Sequence, residues 1–244
     1  MMSAKGKLIG IGVGPGDPEL ITLKGLKALQ SADVIAFHQA KGKKSNALTI
    51  AECWLKTHQQ RLPLVYPVTT EILPSGQDYE AILAGFYDEL VQQLRHLLDH
   101  GKVIAVLAEG DPLFSSSFMY IHDRLSRIYE TEIIPGITSV AGGAAALGVP
   151  LCYRNQTFSV LSGVLAQAEL EKRLTMGDAF AILKVGRNLD KIRLALRNTG
   201  LINRALYIER ATMSQETIIP LQDACAADCP YFSLILVPGM KWNS

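Results

Sequence analysis

The chain has 244 residues, 48% hydrophobic and 19% charged, with 24 basic against 23 acidic side chains and a net charge of +1. That composition excludes a disordered chain and leaves no global field for nucleic acid, so an anionic partner has to be met by local clusters. No apolar run approaches the ~20 residues that span a bilayer, and the N-terminus lacks the apolar core of a signal peptide; a cytoplasmic protein with neither membrane nor nucleic acid among its partners is expected.

The first strand is read from Leu8 onward, a short apolar run broken by glycines at 10, 12, 14 and 16. It ends in a loop almost without side chains, where a ligand can approach bare backbone. Gly10 and Gly12 supply the first two glycines of a dinucleotide fingerprint, but Pro15 holds the third position and the Rossmann reading drops. Pro15 and Pro18 flank Gly16 and Asp17, which predicts a loop that is rigid before any ligand arrives. Thr22 is expected to cap a helix running to Ser31. Asp33 to Phe37 reads as a strand. The basic turn that follows, with Lys41, Lys43 and Lys44, is either a solvated loop or a receiver of carboxylates, and it leads into a helix carrying Ala47, Ile50, Ala51 and Trp54.

Leu62 to Tyr66 predicts an edge strand, because Pro63 cannot donate to a ladder. The longest helix is expected from Asp78 to Leu98, with Ile82, Leu83, Phe86, Leu90, Leu94 and Leu97 at periodic spacing. His96 and His100 share helical spacing without the glutamate of a zinc motif, and His100 beside Gly101 suits a C-terminal turn. Val103 to Ala108 is a continuous apolar run that stops at Glu109, Gly110, Asp111 and Pro112, a second Gly-Asp-Pro behind a buried strand. Ligands collect beyond the carboxyl ends of parallel strands, so the two loops should line one crevice.

A helix is predicted over Ser115 to Glu130 and a short strand over Glu132 to Ile134. An alanine- and glycine-rich helix from Ala141 to Leu147 follows, with Thr138 or Ser139 at its N-cap, either capping only or pointing donors at a ligand. The N-terminal part is thus a mainly parallel α/β unit. In the second half, strands at Phe158 to Leu161, Ala179 to Val185 and Ala205 to Ile208 alternate with helices at Ala168 to Thr175 and Leu189 to Asn198. Two closing strands, Thr217 to Pro220 and Tyr231 to Val237, are expected to be antiparallel because no long helix links them. Cys53, Cys152, Cys225 and Cys229 are scattered, with no pattern of a secreted disulfide framework or a metal site.

Four motifs therefore stand in order: Gly-Val-Gly-Pro-Gly-Asp, Glu-Gly-Asp-Pro-Leu-Phe, Pro-Gly-Ile-Thr-Ser and Glu-Arg-Ala-Thr. Together they resemble the tetrapyrrole methylase family, S-adenosylmethionine enzymes that build corrin rings and sirohaem, over nearly the whole chain. Ser116 to Ile121, Lys184 to Asn188 and Pro230 to Ser233 resemble its precorrin-2 C20-methyltransferase branch. The resemblance implies an α/β fold of two domains, 1–135 and 136–244, each a mixed β-sheet flanked by helices, with an active-site trough between them. It also implies S-adenosyl-L-methionine as methyl donor, S-adenosyl-L-homocysteine as product, an anionic tetrapyrrole as substrate and a homodimer. Carried over residue by residue, cofactor contacts fall on Pro15, Glu109, Gly110, Asp111, Phe114, Thr138, Ser139, Val185 and Ala211. The branch usually has an aromatic residue where Ser115 stands and a Tyr-Pro pair near Phe37 and His38.

Methyl transfer of this kind is governed by alignment, and rigid loops serve alignment. A base has to remove the C20 proton; Glu109, Tyr153 and Tyr231 are all candidates, and none is preferred. The substrate carboxylates are expected to meet Lys41, Lys43, Lys44, Arg154, Arg187 and Arg210. No metal is expected to be required. A lone His38 either approaches a metal or is structural, and whether the substrate contains cobalt is left open. Two rivals stand beside this reading. One is a related methylase acting on another tetrapyrrole position, on RNA or on protein; the other is a noncatalytic nucleotide-binding module.

Overall fold

The computed structural model describes residues 5–67 and 78–241 and divides into two units, Met1–Thr138 and Ser139–Ser244. In the first, β1 (Lys7–Gly12), β2 (Val34–Ala40), β3 (Gln60–Tyr66), β4 (Val103–Ala108) and β5 (Glu130–Ile134) form one sheet in the order β3-β2-β4-β1-β5. Among the described residues, every pairing between these strands is parallel. Helices α1 (Leu23–Ser31), α2 (Asn46–Ala51), α3 (Tyr79–Asp99) and α4 (Phe118–Leu125) supply the crossovers that parallel strands need. Side chains alternate across the sheet. Leu8, Val34, Ala36, Ile104 and Val106 join the core under α3 and α4, while Ile9, Ile11, Ile35, Ala105 and Leu107 join the one under α1 and α2. Two covered faces explain why β4 reads as an unbroken apolar run.

Local chemistry sets the element ends. Thr22 Oγ1 accepts from the Gly25 N–H at 3.1 Å and starts α1, and Asp78 caps α3 through the Glu80 N–H at 3.0 Å. His100 is the C-cap of α3, followed by Gly101 at φ +74°. Pro63 lies on the edge strand, opposite Phe37. Strand β2 runs to Ala40, three residues further than the sequence predicts, because β3 pairs beside it as far as Tyr66. Helix α4 is shorter than the expected span of 115–130. Ser115 is held in the left-handed region at φ +54° and the Ser116 hydroxyl accepts from the Phe118 N–H at 3.2 Å, so the helix begins only there. After Leu125 its carbonyl closes a turn with the Ile128 and Tyr129 amides, and Glu130 already pairs in β5. The edge of β5 carries a charge ladder. Lys7 pairs with Glu130 at 2.9 Å and with Glu132 at 2.8 Å, and Lys24 reaches Glu132 at 2.7 Å.

In the second unit, β6 (Phe158–Ser162), β7 (Ala179–Leu183), β8 (Leu206–Glu209), β9 (Thr217–Ile219) and β10 (Ser233–Val237) lie in the order β6-β7-β10-β8-β9. Here β6 pairs parallel to β7 and the other three pairings are antiparallel, as expected for the closing strands. The mixed character is full in this sheet; in the first unit, among the described residues, it is carried only by an antiparallel bridge between Gly14 and Gly110. Helices α6 (Gln167–Leu174) and α7 (Leu189–Asn198) cover one face, over Phe180, Ile182, Tyr207 and Ile235. Helix α5 (Ser139–Leu147) covers the other, over Ala181, Ile208, Leu234 and Leu236. Its glycine-rich sequence has a reason: a Cβ on Gly143 would lie 2.5 Å from Leu234 Cδ2.

Two features of the first unit are constrained enough to test. A Cβ on Gly12 would stand 2.5 Å from both the Gly110 carbonyl oxygen and the Gly136 nitrogen, with backbone on each side and nothing able to yield. Gly12→Ala should therefore destabilise the protein by about 3 kcal/mol or abolish soluble expression, whereas Gly85→Ala, which meets nothing within 4 Å, should stabilise α3 by up to about 1 kcal/mol; denaturant unfolding of both checks this. The second is His38, whose ring stacks on Tyr66 at 5.3 Å and whose Nε2 is buried without a hydrogen-bond partner. Burial pushes its pKa down to about 4. The folded state then binds this proton less tightly than the unfolded chain, so stability is full above about pH 6.5 and falls as pH drops toward 4, by on the order of 2–3 kcal/mol. His38→Phe should flatten the pH 5–6.5 part of that slope in denaturant titrations.

Candidate functional site

A sheet whose strands all run the same way gathers its exits on one edge. In the first unit the chain leaves that edge at Gly12, Ala40, Tyr66, Ala108 and Ile134, so the loops bearing Pro15, Lys41 to Lys44, Glu109 to Phe114, and Thr138 all start there. The loops after β1 and β4 are locked together through backbone. The Val13 N–H donates to the Ala108 carbonyl at 2.9 Å, and the Gly110 N–H to the Gly14 carbonyl at 2.8 Å. Gly14 (φ +82°) and Gly110 (φ +66°) occupy backbone conformations open chiefly to glycine.

Asp111 fastens the third loop: its Oδ2 accepts from the Gly136 N–H at 3.1 Å and its Oδ1 from Leu113 N–H at 2.9 Å. Its carboxylate is thus engaged in holding loops. Pro15 and Gly16 are buried, and Trp54 donates its indole N–H to the Pro18 carbonyl at 3.1 Å, pinning the far side of the first loop. Glu109 accepts from the Ala47 N–H at 3.2 Å, and burial raises its pKa above the usual carboxylate range. Phe114 is 38% exposed and Leu113 47%, an apolar lip on the Gly-Asp-Pro loop. The side chains of Lys41, Lys43 and Lys44 are exposed on a turn closed by the Lys43 N–H on the Ala40 carbonyl, with Gly42 at φ +75°.

In the second unit, the pairings Ser233 with Glu209 and Ile235 with Ile182 put the carboxyl ends of β7 and β8 and the start of β10 on one edge. That edge collects Val185, Arg187, Arg210, Ala211 and Tyr231. The Val185 side chain is fully buried in the core under α6 and α7, so only its backbone is available to a ligand. Ala211 is partly buried against the core under α5, whose members include Val140 and Ile208. Arg210 Nη1 lies 3.4 Å from Glu209 Oε2. Arg154 and Tyr153 are not brought to this edge. They precede β6 at the opposite end of the sheet, where Gln156 accepts from the Tyr153 N–H at 2.9 Å and donates to the Met240 carbonyl at 2.8 Å, and they line a surface hollow of about 380 Å³ with Asp178 and Lys241.

Sequence reasoning missed the strain in these loops. Ser115, Arg154, Lys184, Arg210 and Thr212 all have φ between +38° and +68°, and none is a glycine or asparagine that would have signalled it. It also missed the side-chain networks behind the loops, among them the short hydrogen bond between the Tyr66 and Ser117 hydroxyls. Burial drives the Tyr66 pKa upward, so that hydroxyl keeps its proton. Among the described residues no three histidine, cysteine, aspartate or glutamate side chains cluster as a metal site, and no helix is long and apolar enough to cross a membrane.

The chain is 45% identical to the precorrin-2 C(20)-methyltransferase of Sinorhizobium sp over 97% of its own length and 96% of the relative's. It is 30% identical to the cobalt-precorrin-2 C(20)-methyltransferase of Salmonella typhimurium over 98% of each. Among solved structures, a cobalt precorrin-4 methyltransferase superposes with a TM-score of 0.71 at 26% identity, covering 95% of this chain and 94% of the other. The Thermus thermophilus uroporphyrin-III C-methyltransferase complexed with S-adenosylhomocysteine shares the fold at 20% identity and a TM-score of 0.65, covering 96% and 97%. The profile of the Tetrapyrrole (Corrin/Porphyrin) Methylases matches residues 7–224, and the chain belongs to that family.

Proposed function

We propose that the protein transfers the methyl group of S-adenosylmethionine to C20 of precorrin-2 during corrin construction. The observation that carries this reading is the 45% identity to the Sinorhizobium enzyme over 97% of the chain, together with the expected motifs standing at the carboxyl edges of both sheets. The greater identity to a relative named for the metal-free substrate than to one named for its cobalt complex favours metal-free precorrin-2. A sulfonium donor suits the edge loops. Where Gly12, Gly110 and Gly136 pack at backbone contact, N–H and C=O groups are presented with few side chains in the way, enough to hold an adenine and a carboxylate. Bound there, the donor supplies an electrophilic methyl, which forms a bond to the electron-rich C20 as its bond to sulfur breaks.

The protein's part is alignment. Loops fixed by Asp111, by the Gly14–Gly110 bridge and by Trp54 are ordered in advance, and near-attack placement contributes on the order of 7 kcal/mol or more to such a reaction. Cofactor contacts are assigned to Pro15, Glu109, Gly110, Asp111, Phe114 and Thr138 of the first unit and to Ser139, Val185 and Ala211 of the second. The substrate carboxylates are assigned to Lys41, Lys43, Lys44, Arg187 and Arg210; Arg154, at the far edge of its sheet, has the weakest claim. Of the candidates for taking the C20 proton, Glu109 is favoured: its carboxyl accepts from the Ala47 N–H in a buried setting that raises its proton affinity. The reading also carries a cytoplasmic homodimer, for which sedimentation should give twice the chain mass.

Purified protein with S-adenosylmethionine and precorrin-2 should release S-adenosylhomocysteine; turnover should be slower on cobalt-precorrin-2 and undetectable on RNA. Release with RNA alone would replace this reading with the rival. Turnover should rise with pH through the elevated Glu109 value, since only the ionised carboxylate accepts a proton, and Glu109→Gln should remove that limb and lower kcat at least a hundredfold. Lys44→Ala should weaken tetrapyrrole binding about two- to fivefold, the worth of an exposed ion pair, with S-adenosylhomocysteine affinity unchanged.

A further inference from the structure

Strand β8 ends at Glu209, and the chain then takes an unfavourable path. Arg210 (φ +48°) and Thr212 (φ +68°) are both left-handed without being glycine. Two backbone bonds and one to a side chain hold the loop: the Arg210 N–H donates to the Phe232 carbonyl at 2.7 Å, the Met213 N–H to the Arg210 carbonyl at 2.9 Å, and the Thr212 N–H to the Glu216 carboxylate at 2.6 Å. Behind them lies a chain of side-chain contacts. Tyr207 is almost wholly buried and donates its hydroxyl to Glu209 Oε1 at 2.8 Å. With its one proton given to Glu209, the same hydroxyl packs against Cys229 Sγ at 3.1 Å with no proton shared between them; the thiol donates to Ser233 Oγ at 3.2 Å, and the Ser233 hydroxyl donates to the Pro230 carbonyl at 2.8 Å. Burial holds the Tyr207 proton in place, which keeps the hydroxyl a donor.

This network joins the Glu-Arg-Ala-Thr loop to the Pro-Tyr-Phe-Ser turn behind their backbone contacts, the Arg210–Phe232 bond and the first residue pair of the β8–β10 ladder. We infer that Tyr207 and Cys229 are positioning residues: through Glu209 and Ser233 they hold the strained loop at Ala211 in the shape that receives S-adenosylmethionine. The inference rests on the cofactor assignment of Ala211 given above. Tyr207 is nearly inaccessible to solvent and is assigned no ligand contact. Its effect passes through the loop backbone, which is where strain makes geometry expensive to keep.

Tyr207→Phe deletes one oxygen and leaves the packing, and Cys229→Ala removes the link to Ser233. Each should raise the Kd for S-adenosylhomocysteine, read by calorimetry, at least fivefold, and raise the KM for S-adenosylmethionine in proportion, with kcat within twofold. Cys229→Ser, which keeps a donor, should stay near wild type. In the absence of any ligand, hydrogen exchange at the Thr212 and Met213 amides should be at least tenfold faster in Tyr207→Phe and Cys229→Ala. Unchanged exchange at those two amides overturns the network, and faster exchange with unchanged Kd overturns its role in cofactor binding. Wild-type protein that binds no S-adenosylhomocysteine would overturn the cofactor assignment instead, leaving the exchange result to decide the network. Should Tyr207→Phe fail to fold, Cys229→Ala carries the test.

Discussion

The first unit depends on backbone meeting backbone where Gly12, Gly110 and Gly136 converge. Three strand ends can be drawn to within van der Waals contact of one another only if no Cβ stands between them. The mutual bonding of Gly14 and Gly110 follows from that approach, and so does the reach of Asp111 to the Gly136 amide. Rigidity here is achieved without bulk. The loops are short of side chains because the neighbouring loops fill that role, and each one acts as a wall for the next.

Much of the fold was legible because period and punctuation agreed. β4 was read to the residue, since a two-sided parallel strand has no polar interruptions and ends where Glu109 and Gly110 begin. The cap at Thr22, the edge position of β3 and the antiparallel close of the second sheet were legible for the same kind of reason: each rests on a group that can or cannot donate a hydrogen bond. Helix α4 was overextended because the residues from Ser115 to Ser117 look permissive of helix, while the left-handed turn at Ser115 is set by the loop it serves. Local sequence does not encode a conformation imposed from outside.

The site was legible to a different depth. Glycine and proline announced the loops at the carboxyl edge of the first unit, which are built largely of bare backbone. In the second unit the strained positions are lysine, arginine and threonine, whose types say nothing about φ, and the polar chain from Tyr207 to Ser233 draws on residues up to 26 positions apart in sequence. Arg154 shows the opposite error. A basic residue among motif loops invited a role, but the topology sends it to the amino end of β6, away from the loops that follow β7 and β8.

The ion pairs among Lys7, Lys24, Glu130 and Glu132 bear on how the molecule survives at working concentration. A parallel sheet is open on its last strand, and β5 offers unpaired amides and carbonyls to any passing chain. Alternating cations and carboxylates along that margin oblige an incoming strand to give up well-solvated charge before it gains a single ladder bond. The border of the sheet is thereby kept from templating its own aggregation, and the opposite margin is protected by simpler means, a proline at position 63 that has no hydrogen to offer.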